Sequence, residues 1–89
     1  MIKHLNIKVY GKVQNVGFRF YTNKRANILG IKGYVKNMPD KSVYIEAEAT
    51  EFLMEQFLEF VNEGPKWSRV TEVKTYEAPT VGFENFEIR

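Results

Sequence analysis

From Lys3 to Val13 the apolar residues Leu5, Ile7, Val9 and Val13 all occupy odd positions. That period of two belongs to an extended strand with one face in a core. The period changes at Phe18. Phe18, Tyr21, Thr22, Arg25, Ala26, Ile28 and Leu29 share one face at helical spacing, with Phe18, Ala26 and Leu29 the clearest core candidates. Gly30 supplies a helix stop, because glycine adopts the left-handed C′ conformation cheaply. "IKGYVKN" returns to period two and puts Ile31, Gly33, Val35 and Asn37 on one side. "MPDKS" reads as a turn: Pro39 presets φ and Asp40 can bond its own backbone. In "SVYIEAEA" Val43, Ile45, Ala47 and Ala49 point inward, Glu46 and Glu48 outward.

Thr50 is placed to cap a second helix, "EFLMEQFLEFVNEG", with Leu53, Phe57, Phe60 and Val61 inward. Glu51 suits the positive end of the helix dipole, and Gly64-Pro65 ends the helix. "SRVTEVKTYE" is a fourth strand in which Val70 and Val73 differ in parity, so a bulge is expected. "GFENFEIR" closes the chain as a short strand with Phe86 and Ile88 inward. The order is β-α-β-β-α-β plus a tail strand, in one domain covering residues 1–89. Each helix has one apolar face, and so does the sheet. This predicts an α+β fold, the ferredoxin-like split βαβ sandwich (βαββαβ), with an antiparallel sheet and two helices on one face. That fold hosts many functions and decides none.

Composition narrows the chemistry. There is no cysteine and one histidine, His4. Disulfides, thiolate metal sites and a thiol nucleophile are excluded, and a Ser-His-Asp triad or a His-rich metal site is disfavoured. The lack of cysteine fits a reducing, cytoplasmic setting. The N-terminal alternation reads as a strand rather than a secretion signal. No apolar run reaches the ~20 residues of a membrane span. Net charge is only +2, but its layout is uneven. Residues 1–44 carry nine Lys or Arg and one acid, Asp40, a net +8; residues 45–89 carry four basic residues and ten Glu, a net −6. Either the first half meets an anionic partner, or two solvated faces attract one another within the fold.

The junction "QNVGFR" between the first strand and first helix gives that anion a place. The first N–H groups of a helix lack partners and carry partial positive charge. A Gly/Asn-rich turn before them can aim further N–H groups into the same hollow. Together these make an anion site. Arg19 at the helix start is electrostatically disfavoured unless an anion sits there, and a guanidinium can grip two phosphate oxygens. The alternatives are that Arg19 points into solvent or pairs with a glutamate. Asn37 ends the second strand on the helix side, where its carboxamide can bond a water or a substrate oxygen. The alternative is a turn-initiating Asn that bonds backbone.

"GKVQNVGFR" (Gly11–Arg19) and "GYVKN" (Gly33–Asn37) resemble the two signatures of the acylphosphatase family. "ANILGIKGYVKN" joins them at the family's spacing, and "FLEFVNEGPKWSRVTEV" resembles its second helix, Gly-Pro stop and fourth strand. The resemblance runs from about Leu5 to Ile88. It implies the same ferredoxin-like fold and a small cytosolic hydrolase that splits acyl phosphates into carboxylate and phosphate, with no metal and no cofactor. By motif position it implies that Arg19 binds the phosphoryl group and Asn37 orients the attacking water. The backbone N–H groups of Asn15, Val16, Gly17, Phe18 and Arg19 would form the phosphate cradle. The implied partner is a small-molecule acyl phosphate, with inorganic phosphate or sulfate as site ligands. No nucleic acid, no membrane and a monomeric state are expected.

Three positions depart from the family pattern. Asn15 stands where glycine is usual, and Asn tolerates positive φ better than other non-glycine residues. Lys41 follows Asp40 where the family favours Asp-Gly, and Lys at positive φ costs ~1–3 kcal/mol. Ala49 stands in place of a glycine. Two competitors carry different chemistry. Tyr10, Tyr34 and Tyr44 could form an RNA-stacking face, although "VGFRFY" matches the RNP1 pattern poorly. An acylphosphatase-like module could also serve carbamoyl transfer inside a larger enzyme; the free start and short terminal strand favour a standalone chain. Trp67 is expected to lid the sheet.

Overall fold

The alternation that starts at Leu5 becomes the floor of the core: Ile7 and Val9 have no exposed surface. The computed structural model describes all 89 residues. Its elements are β1 (Ile2–Lys12), α1 (Phe18–Leu29), β2 (Lys32–Asn37), β3 (Val43–Thr50), α2 (Glu51–Glu63), β4 (Arg69–Ala78) and β5 (Phe86–Ile88). The sheet order is β4-β1-β3-β2-β5. The first four strands pair antiparallel throughout, as the pattern predicts. The tail strand differs: β5 lies parallel to β2, so the complete sheet is mixed. A short strand returning from the far edge of β4 has no turn that could pair it antiparallel.

Both helices cover one face. Phe18 and Ala26 of α1 meet Met54, Phe57 and Val61 of α2 in one cluster with Ile7, Val9, Val35 and Ile45. Each such residue contributes ~1.5–3 kcal/mol on burial. The stripe on α1 is narrower than its sequence suggests, since Tyr21 and Ile28 are exposed. On α2, Met54 takes the deep position and Leu53 and Phe60 are only half-buried. The dominant stripe there is 54-57-61. Thr50 precedes α2 but makes no side-chain cap, and Gly64 ends the helix by donating its N–H to the Phe60 carbonyl at 2.7 Å. The β4 bulge is present: Tyr10 faces Glu72 while Gly11 faces Val70, which leaves Thr71 unpartnered. This bulge lets Val70 and Val73 both pack against the core. Trp67 does not lid the sheet. It is 70% exposed in the turn before β4, beneath the Lys66 ammonium.

The other face of the sheet is covered by its own polar network and by residues 79–85. His4 is buried, with Nε2 2.9 Å from Glu46 Oε1 and Nδ1 3.0 Å from Glu48 Oε2. The Glu48 carboxylate accepts the N–H groups of Val81, Gly82 and Phe83, which straps the loop to the sheet. Tyr34 and Tyr44 both donate to Glu46 Oε2, at 2.7 and 2.9 Å. Burial, then this bond to Glu46, pushes the Tyr34 phenol up to about 12 and Tyr44 higher still. Burial alone would raise Glu46 and Glu48. The two tyrosine hydroxyls and His4 around Glu46, and the three amides at Glu48, outweigh it and hold both carboxyls below their usual range.

A depressed carboxyl binds fewer protons folded than unfolded, so its stabilisation is present above the unfolded value near ~4.3 and is lost as pH falls. Urea unfolding should therefore show a falling midpoint from about pH 5 downward. Glu48→Gln should flatten that slope; an unchanged slope in the variant would remove Glu48 from the network's acid sensitivity.

Candidate active site

Helix α1 starts without a cap. Gly17 occupies the N-cap position at φ 78 and makes no side-chain bond. Two residues earlier Asn15 is also left-handed, at φ 62. A side chain at Gly17 would be strained there and would place its Cβ 3.2 Å from the Tyr21 ring. The first bond of the helix runs from the Tyr21 N–H to the Gly17 carbonyl at 3.0 Å. No acceptor within the chain takes the N–H groups of residues 15–20. Unmade bonds of this kind cost free energy unless water or a ligand satisfies them.

All of residues 15–20 except Val16 border a cavity of about 220 Å³. Asn15, Gly17, Phe18 and Arg19 line it from the α1 side and Asn37 from the end of β2, with Val13, Phe20 and Ile88 completing the wall. The structure thus brings Asn15, Gly17, Phe18, Arg19 and Asn37 around one hollow. Val16 does not line it; its side chain packs against the core. Arg19 is exposed and pairs with no carboxylate. A free cation in the first turn opposes the helix dipole by ~0.3–1 kcal/mol, a conflict that an anion reverses. The Asn37 carboxamide oxygen is buried and accepts no bond. It is therefore not spent on the turn, and a buried acceptor left without a partner carries a desolvation cost that a water or ligand donor would remove.

Gln14 is the residue that the sequence reading passed over. Its Nε2 donates to the carbonyls of Met38 and Ser42, both at 2.9 Å. This ties the loop before α1 to the β2–β3 hairpin that begins one residue after Asn37. Only its position inside the first motif signals it; its two partners lie 24 and 28 residues away. The hairpin itself is braced. The Asp40 carboxylate accepts the Ser42 hydroxyl and its N–H, and lies 3.1 Å from Lys8 Nζ. Those contacts, Ser42 first, hold its carboxyl near about 2. Lys41 occupies the left-handed turn position at φ 73.

Two other surfaces offer less. A hollow of about 520 Å³ at the opposite end is lined by Ile2, Thr50, Leu53 and Phe83, and its one carboxylate, Glu48, is already saturated. The tyrosine face is occupied. The Arg89 guanidinium lies 4.2 Å over Tyr34, Phe83 packs edge-on against the same ring, and Lys36 lies beside both Tyr34 and Tyr44. No helix is long and apolar enough to cross a membrane.

Comparison with known proteins points to one family. The acylphosphatase family profile matches residues 5–88. An acylphosphatase of Thermotoga petrophila is 47% identical over 99% of this chain and 98% of its own. The crystal structure of acylphosphatase from Bacillus subtilis superposes with TM-score 0.94 at 36% identity, covering 100% of this chain and 99% of that one. Full-length HypF, solved in a phosphate- and nucleotide-bound form, matches with TM-score 0.90 at 29% identity. The match covers 100% of this chain but 12% of HypF.

Gln14→Ala should lower stability by ~1–3 kcal/mol, because it leaves two carbonyls without their donor. Lys41→Gly should raise it by up to ~1 kcal/mol by relieving the positive φ. Urea midpoints check both. A stabilised Gln14→Ala or a destabilised Lys41→Gly would contradict the described hairpin.

Proposed function

The chain belongs to the acylphosphatase family, and we infer that it hydrolyses the carboxyl–phosphate bond of small acyl phosphates. The observation that carries this reading is the facing of two unsatisfied sets. Free N–H groups and an unpaired Arg19 stand on one side of the cavity, and Asn37, whose carboxamide oxygen has no partner, lines it from the end of β2.

Arg19 and the backbone N–H groups of Asn15, Gly17, Phe18 and Arg19 hold the phosphoryl oxygens; Val16 does not line the cavity. Asn37 accepts one proton of a water and points the water's lone pair at phosphorus. The new oxygen–phosphorus bond forms as the bond to the acyl oxygen breaks, and the carboxylate leaves with the electron pair. In a loose transition state the charge stays on the equatorial oxygens, where the guanidinium and amides act. The water's proton passes to a phosphate oxygen of the substrate, since no histidine or carboxylate lines the cavity. His4 is buried in the network on the opposite face of the sheet. The 47% identity to the Thermotoga acylphosphatase favours the hydrolase reading over carbamoyl transfer. The engaged tyrosine face favours a small-molecule substrate over RNA. A monomer in a reducing cytoplasm suits the cysteine-free chain.

Arg19→Gln should cut kcat/KM for benzoyl phosphate by at least ~10²–10³-fold, the effect of one lost transition-state donor. Asn37→Ala should lower kcat more than it raises KM, the mark of a group that acts in the transition state. Both variants should keep the wild-type circular dichroism spectrum. Wild-type turnover in either would remove that residue from the mechanism. The kcat should vary little with pH while the substrate phosphate is dianionic. A steep pH dependence of kcat that vanishes in His4→Gln would restore a histidine base.

A further inference from the structure

We propose that Phe20 and Ile88 form the acyl-group subsite of the Arg19 cavity and make this enzyme selective for apolar acyl chains. The proposal rests on the phosphate assignment above and adds the class of acyl group. Phe20 is 58% exposed and Ile88 45% exposed, and neither belongs to the core cluster. A single exposed apolar side chain needs no explanation. Two of them on the wall of a cavity that also holds Val13, Phe18, a guanidinium, a carboxamide and open amides give the composition of a ligand site, apolar with a few placed polar groups.

Both side chains are fixed by rigid elements. Phe20 stands in the first turn of α1, one residue after Arg19, and its ring packs edge-on against Tyr21 at 5.1 Å. Ile88 pairs with Val35 of β2, and the next residue, Arg89, donates its N–H to the Val35 carbonyl at 2.8 Å. Asn23 Nδ2 on α1 donates to the Phe86 carbonyl at 3.1 Å, so α1 and β5 are tied directly. The parallel pairing of β5 thus sets an apolar side chain at the cavity, where the sequence pattern had placed it in the core. The competing exit passes Lys12 and Lys41, which border an adjoining hollow that shares Val13 and Asn15. A negatively charged acyl chain would go there. The cavity that holds Arg19 and Asn37 itself contains Phe20 and Ile88 and neither lysine, which favours the apolar route.

The test measures kcat/KM for acetyl, butyryl, benzoyl and monosuccinyl phosphate with the wild type, Phe20→Ala and Ile88→Ala. Acetate and butyrate are leaving groups of nearly equal acidity, so their ratio reports contact with the two extra methylenes. The wild type should favour butyryl over acetyl phosphate by about five- to tenfold, with benzoyl phosphate higher still. Phe20→Ala should remove most of that preference and Ile88→Ala part of it. Inhibition by inorganic phosphate should not change in either variant. Equal use of acetyl and butyryl phosphate, or a preference for monosuccinyl phosphate, overturns the subsite. So does an equal loss on all four substrates in Phe20→Ala, which would place that ring under the phosphate. A wild type inert toward all four overturns the hydrolase reading itself, an outcome distinct from hydrolysis without selectivity.

Discussion

An α-helix that begins on a left-handed glycine leaves its first amides with nothing to bond, and this chain does nothing internally to repair that. A Ser, Thr, Asp or Asn cap in ordinary extended geometry would satisfy one of them, worth a few tenths of a kcal/mol over glycine. The chain instead carries Gly17 at φ 78 and follows it with a cation where the helix dipole favours an anion. Each choice weakens the isolated fold and suits the bound anion proposed above. Around that trade the rest of the molecule acts as a mount. β1 delivers the loop, β2 delivers Asn37, and Gln14 fixes the distance between them through two carbonyls of the hairpin.

The mount is rigid because both faces of the sheet are closed by different means. On one face the helices bury an apolar cluster. On the other, Glu46 and Glu48 organise tyrosine hydroxyls, His4 and three loop amides. The β4–β5 loop is held down by that carboxylate, and the strand after it runs parallel to β2. The cavity's wall at Ile88 therefore depends on a polar network on the far side of the sheet. Lys41 shows the same economy: the turn geometry is retained at φ 73 although the residue there is not glycine.

Much of this was legible in the residues. Period two in β1 and β3, the Gly30 and Gly64-Pro65 stops and the parity change between Val70 and Val73 located the strands, helices and bulge, because each reflects a local backbone constraint. The Gly17-Arg19 junction signalled a helix start with unbonded amides for the same reason. What the pattern missed depends on contacts distant in sequence. Met54 takes the deep position on α2 because of what faces it, and Ile88 leaves the core because β5 pairs parallel to β2. Trp67 stands in solvent although its composition suggested a lid. Gln14 acts through residues beyond Asn37, and nothing in its own neighbourhood marks those partners.

The account stands on the amides of residues 15–19 being open donors that bind a phosphoryl group together with Arg19. The direct measurement is an amide ¹H–¹⁵N chemical-shift titration of the full chain with inorganic phosphate. It should show saturable shifts concentrated at Asn15 through Arg19 and at the Asn37 side-chain amide, abolished in Arg19→Gln. Shifts scattered over the basic surface, or centred away from this loop and unaffected by Arg19→Gln, would contradict it.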